Sequence, residues 1–147
     1  MSLAIISTQF EYQEKTFKNI AFASLKAKLD FSSRENSLLN DGAIEIWIMK
    51  RFGNGEDEYH FFSMDIYDEN GVTNFMSKIE YKGKRYYVLA GSDNTPSFLC
   101  YYFSLAYLRL EPLHKIVLYD DCIFGLEEIE MIESGTGFTD DWTKNII

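Results

Sequence analysis

Histidine is the side chain best suited to moving protons near neutral pH, and this chain has only two, His60 and His114. His60 lies in an aromatic run, where a hydrogen-bonded structural or edge role is expected. His114 follows Pro112 in a loop and is expected to face solvent. Cys100 sits within an apolar run, away from a helix start whose dipole could lower a thiol pKa, and no G-x-S-x-G is present. Covalent catalysis therefore has no support. Phosphate-cradling glycine signatures are also missing, so Gly53-Asn54-Gly55 reads as a turn. Asp120-Asp121, Glu127-Glu128 and Asp68-Glu69-Asn70-Gly71 offer the oxygen ligands that calcium or magnesium accepts, but none has the alternate-position spacing of a calcium loop. Two facing carboxylates could hydrolyse a glycoside, as Glu127 with Glu130 or Asp65 with Glu45. With 23 acidic residues in the chain, such pairs carry almost no specificity. These residues predict neither an enzyme nor a cofactor or metal site.

Charge distribution is more informative. Between Ile116 and Thr143 stand eight carboxylates, Asp120, Asp121, Glu127, Glu128, Glu130, Glu133, Asp140 and Asp141, and no lysine or arginine. From Glu111 to Ile147 nine acids face two lysines, a net of -7 out of the chain's -9. A concentrated negative field attracts basic surfaces and repels nucleic acid and anionic lipid. Direct nucleic-acid binding is further disfavoured because the one basic concentration, Lys78, Lys82, Lys84 and Arg85, belongs to a hairpin and resembles edge protection.

Length and composition fit one domain over residues 1–147: 46% of residues are hydrophobic, and the aromatic side chains comprise 12 Phe, 10 Tyr and 2 Trp. The two cysteines, Cys100 and Cys122, are expected to be reduced. The apolar stretch Leu3–Ile6 is too short for a secretory leader, and the uncharged segment 94–108 is too short to span a membrane. A cytoplasmic protein is expected.

These features must be carried by local elements. Apolar residues at odd positions from Ala21 to Phe31 predict a strand, with helix as the alternative through Phe22, Leu25 and Leu29. Residues 43–51, 59–67, 72–81 and 85–90 read as a four-stranded antiparallel meander, with the first loop at Gly53–Glu58 and hairpin turns at Asn70-Gly71 and Lys82-Gly83. Residues 72–80 also fit a helical stripe through Val72, Phe75, Met76 and Ile79. Asn94-Thr95-Pro96 marks the start of an apolar helix over about 96–110. A short strand at 115–119, an amphipathic helix near 126–134 and a final turn around Trp142 complete an α+β fold: an antiparallel meander sheet, one apolar helix packed on it, and an acidic C-terminal portion.

The expected function is a protein-binding module, an acidic inhibitor of the immunity-protein kind that neutralises a basic partner such as a nuclease toxin. Its partner surface would comprise the eight carboxylates named above together with Trp142, and Tyr119 and Phe138 would supply further aromatic anchors. This requires the carboxylates to gather into one exposed surface that no internal cation neutralises. Two other readings are a structural subunit that forms homo-oligomers, and a ligand-binding protein or enzyme with a pocket lined by Tyr86, Tyr87, Tyr101, Tyr102 and Tyr107.

Overall fold

The computed structural model describes residues 1–38, 42–52, 58–76, 79–119 and 122–146. Its strands are β1 (Leu3–Ser7), β2 (Asp30–Leu38), β3 (Ile44–Phe52), β4 (Glu58–Ile66), β5 (Glu80–Tyr81), β6 (Lys84–Arg85), β7 (Tyr87–Ser92), β8 (Lys115–Leu118) and β9 (Cys122–Phe124). Helices α1 (Gln13–Lys26), α2 (Glu69–Met76), α3 (Ser97–Leu110) and α4 (Leu126–Ser134) are followed by a 3₁₀ turn at Trp142–Asn145. Seven strands form one antiparallel sheet in the order β2-β3-β4-β7-β1-β8-β9, while β5 and β6 form a separate hairpin. The α+β class with an antiparallel sheet is therefore present.

Period-two alternation explains how the sheet is buried. In β4, Phe62, Met64 and Ile66 are buried while Phe61 and Ser63 are exposed. The inward side chains of β1, β3, β4, β7, β8 and β9 join Ile20 and Ala23 of α1, Val72 of α2, six apolar positions and Cys100 of α3, and Ile129 and Ile132 of α4 in one core. A smaller cluster, Ile6, Tyr86, Val88 and Val117, lies on the opposite face and is flanked by Ile79 and Tyr81 of the β5–β6 hairpin. That hairpin turns at Lys82-Gly83, where both residues have positive φ, 51° and 78°.

The meander is only partly realised. β3 and β4 pair along their whole length, from Ile44↔Ile66 to Phe52↔Glu58, but the predicted connection at Gly53–Glu58 lies largely outside the described residues. β7 meets β4 at only two positions and pairs mainly with β1, an N-terminal strand that inserts between β7 and β8.

Two predicted strands are helices. Residues 21–26 belong to α1, which buries Thr16, Ile20, Ala23 and Ser24 against the core and leaves Phe22 and Leu25 outside. The odd-position alternation was thus a partial view of a 3.6-residue stripe that starts at residue 13. The helix stops without glycine: Lys28 takes φ 60°, and Leu29 N–H and Lys28 N–H bond back to the Ser24 and Leu25 carbonyls. Asp68-Glu69-Asn70-Gly71, read as a hairpin turn, instead opens α2. Asp68 accepts a hydrogen bond from Gly71 N–H at 3.0 Å, as an N-cap does, and strand structure resumes only at β5. The helix predicted over 96–110 is found at Ser97–Leu110, but it is one of four.

Candidate functional site

The acidic C-terminal residues are largely engaged within the molecule. Glu128 accepts a hydrogen bond from the Gly125 N–H at 3.1 Å and caps α4. Glu130 pairs with Arg109 of α3, and Glu133 receives the Tyr101 hydroxyl. Asp141 lies 3.8 Å from Lys144. Glu127 and Asp140 are exposed, and Lys82 of the β5–β6 turn lies close enough to α4 to feel Glu127 and Glu128. Asp120 and Asp121 lie outside the described residues. Of the six described carboxylates, Glu130 and Asp141 thus meet a cation of the fold, whereas Glu128 and Glu133 accept hydrogen bonds from neutral donors that leave their charge in place.

The aromatic anchors also separate. Trp142 is fully buried, with ring contacts to Tyr101 and Phe124 at 5.2 and 5.7 Å and its indole N–H on Ser97 Oγ at 3.1 Å. It is a core residue, not the surface anchor expected from the sequence. Phe138 is half-buried among Phe98, Tyr101 and Tyr102. Tyr119 alone remains 52% exposed, in a left-handed conformation at φ 55° that a non-glycine residue adopts at a cost.

A different acidic and aromatic surface forms on the sheet face opposite the helices. Directly paired residues share a face, and the register gives the rows Ser32–Trp47–Ser63, Asp30–Met49–Phe61 and Glu45–Asp65–Gly91. Neither buried cluster includes Trp47, Met49 or Phe61, and Phe61 is 59% exposed. Glu45 and Asp65 are the facing carboxylates anticipated from sequence, set opposite one another on neighbouring strands, where like charges are mutually destabilising. Beside them opens a groove of about 610 Å³, with Asp65, Tyr67, Gly91, Asp93, Val117 and Tyr119 among its walls. Gly91 lines it as well, and a Cβ there would stand 3.0 Å from the Tyr67 hydroxyl oxygen, so a larger residue needs the tyrosine to give by a few tenths of an ångström.

The expectation that His114 faces solvent is overturned. It is 3% exposed, because the turn after α3 folds it beneath the segment that follows β1. His114 Nδ1 lies 2.8 Å from the Tyr107 hydroxyl, and Nε2 lies 3.2 Å from Glu11 Oε1 and 3.6 Å from Glu111 Oε2. Lys15 Nζ donates to Glu11 Oε1 at 2.9 Å, and Asn19 donates to Glu111 Oε1 at 2.9 Å. Burial by itself would raise the Glu11 carboxyl, but hydrogen bonds from His114 and Lys15, with their charges, outweigh it and hold Glu11 below its ordinary value. Glu11 and Glu111 stand 100 positions apart in a chain of 147 residues, so local sequence patterns gave no signal for this cluster.

The tyrosine-lined pocket is not formed as predicted. Tyr101 and Tyr107 are fully buried, Tyr86 belongs to the second cluster, and Tyr87 packs against the main core. A cavity of about 430 Å³ lies instead between α1 and α3, floored by Ala27, Leu105, Ala106 and Leu110, and of the five tyrosines only Tyr102 lines it. Neither Cys100 nor Cys122 is joined in a disulfide among the described residues; burial pushes the Cys100 thiol up to about 12, which suits a packing role. Among the described residues, no helix is long and apolar enough to cross a membrane. No family model, curated protein or solved structure matches the chain.

Proposed function

We propose that this protein is a non-catalytic binding module for a basic protein partner, and that it engages that partner through the helix-free sheet face and its groove. The observation that carries this reading is the groove itself: Asp65 and Asp93 stand among tyrosines, next to a sheet surface bearing Trp47, Met49 and exposed Phe61. A face that mixes carboxylates with aromatic and apolar side chains suits a partner that presents arginine or lysine beside an apolar contact, since the carboxylates steer encounter and the aromatic rings exclude water. The net charge of -9 extends that attraction beyond contact range. Inhibition of a cytoplasmic nuclease toxin is the specific form we favour, because a phosphate-binding groove is itself basic and would be complementary to such a face. The C-terminal carboxylates contribute to the field, while direct contact falls to the groove and its neighbouring strands, of whose residues the sequence reading had singled out only Asp65, Glu45 and Tyr119.

The test is affinity capture from the native host, with three baits compared: wild type, Asp65→Asn/Asp93→Asn with Phe61→Ser, and Glu127→Gln/Glu130→Gln. A basic protein held by the first and third baits, lost by the second, and released progressively by salt is the expected result. Retention by the second bait and loss with the third would return the interface to the C-terminal segment. A captured protein unaffected by either set, or by salt, would remove the electrostatic premise.

A further inference from the structure

We propose that Glu11, Glu111 and His114 form a binding site for one divalent transition-metal ion of the zinc type. Their ligand atoms, one from each residue, lie within 4.8 Å of one another. A tetrahedral ion with ligands at roughly 2.0–2.1 Å requires its ligand atoms to be about 3.4 Å apart. The two separations from His114 Nε2, 3.2 Å to Glu11 Oε1 and 3.6 Å to Glu111 Oε2, bracket that edge. Small side-chain movements would close the geometry around an ion.

The surroundings orient the donors as a metal requires. Tyr107 holds His114 through Nδ1, which leaves Nε2 directed at both carboxylates. Asn19 occupies Glu111 Oε1 and leaves Oε2 for the ion. Such outer partners fix ring and carboxylate orientation in metal sites. An independent observation concerns Glu11. It is 8% exposed, and its Oε2 is buried with no hydrogen-bond partner. A buried anionic oxygen without a partner among the described residues is costly, and a cation drawn to this carboxylate would compensate its charge. The ligand set, one imidazole and two carboxylates, suits zinc and its neighbours better than it suits calcium, which prefers oxygen alone.

Lys15 is the competitor. Its ammonium sits 2.9 Å from Glu11 Oε1, yet its side chain is 58% exposed, so it can swing into solvent as the ion enters. Two carboxylates compensate a doubly charged ion, whereas one lysine leaves them in excess. Three protein ligands also leave a fourth position on the ion for water or for a group from another molecule. A bound ion would clip the chain after β1 to the end of α3.

The experiment uses the full-length chain, stripped with chelator and dialysed free of it. Zn²⁺ is titrated by calorimetry and Tm is followed; Co²⁺ then reports geometry through its visible absorption. One ion per chain, a raised Tm, and an intense tetrahedral Co²⁺ band are expected. Glu111→Gln should weaken Zn²⁺ by about 100-fold or more, Asn19→Ala by about 10–100-fold, while Lys15→Met should tighten it. Because His114 is packed in the core, His114→Gln could fail to fold; Glu111, 22% exposed, supplies the ligand variant that tolerates change. Absence of heat and of a Tm shift up to millimolar Zn²⁺ would overturn the proposal. So would Zn²⁺ binding or a Co²⁺ band left intact by Glu111→Gln. Neither outcome depends on the partner-binding face, which lies on other residues.

Discussion

Replacing Trp142 by alanine separates a core residue from a surface anchor. The indole is fully buried, meets Tyr101 and Phe124 edge-on at centroid distances of 5.2 and 5.7 Å, and donates to Ser97 Oγ. Removing a ring so enclosed leaves a cavity and deletes a hydrogen bond, which together cost about 3–5 kcal/mol. Against a typical total of roughly 5–15 kcal/mol, this is a large share. At this chain length each kcal/mol lowers Tm by about 2–4 °C, so a loss near 4 kcal/mol corresponds to about 8–16 °C. Trp142→Phe keeps most of the ring and loses the N–H, and its expected cost is smaller, about 1–2 kcal/mol. Equilibrium urea unfolding followed by far-ultraviolet circular dichroism measures both, with the slope checked for constancy. A Trp142→Ala midpoint equivalent to less than about 0.5 kcal/mol of destabilisation would refute the packing argument.

Two further outcomes follow from the same coordinates. Burial raises the hydroxyl pKa values of Tyr86, Tyr101 and Tyr107, with Glu133 adding to the effect at Tyr101 and the charges of Glu11 and Glu111 at Tyr107. Groups whose folded pKa exceeds the unfolded value near 10.0 stabilise the fold fully below that pH, and this stability is lost as pH rises through the folded values. Tyrosinate absorbance should therefore rise in two stages, the second coinciding with loss of circular dichroism; one smooth titration of all ten tyrosines before unfolding would contradict it. Lys28→Gly should raise the urea midpoint by the equivalent of about 0.5–1 kcal/mol, since glycine accepts φ 60° without strain, and a lowered midpoint would show that the Lys28 side chain contributes more than its backbone costs.

Elements with a strong local signature were legible. The apolar segment after Pro96, the KIVLY strand and the Leu126/Ile129/Ile132 stripe each carry a periodicity that packing did not override. Segments 21–31 and 72–81 misled for identifiable reasons. α1 ends at a lysine in the left-handed region, where glycine would have signalled the stop, so helix and following strand merged into one apparent alternation. In α2 the Asp68–Gly71 tetrad has turn composition, and the same side-chain chemistry that closes a turn also caps a helix. β1 and β9, five and three residues long, are too short for periodicity to register.

The amino-acid order by itself determined the class of fold, the antiparallel sheet and the net charge of -9, because composition and short-range periodicity survive any arrangement in space. Tertiary structure alone decided which groups meet. It set four C-terminal carboxylates on internal partners, withdrew Trp142 into the core, placed Glu45 opposite Asp65, and brought His114 to Glu11 across 103 residues of chain. A carboxylate's field acts through space, and its neighbours in space are fixed only when strands pair and helices pack.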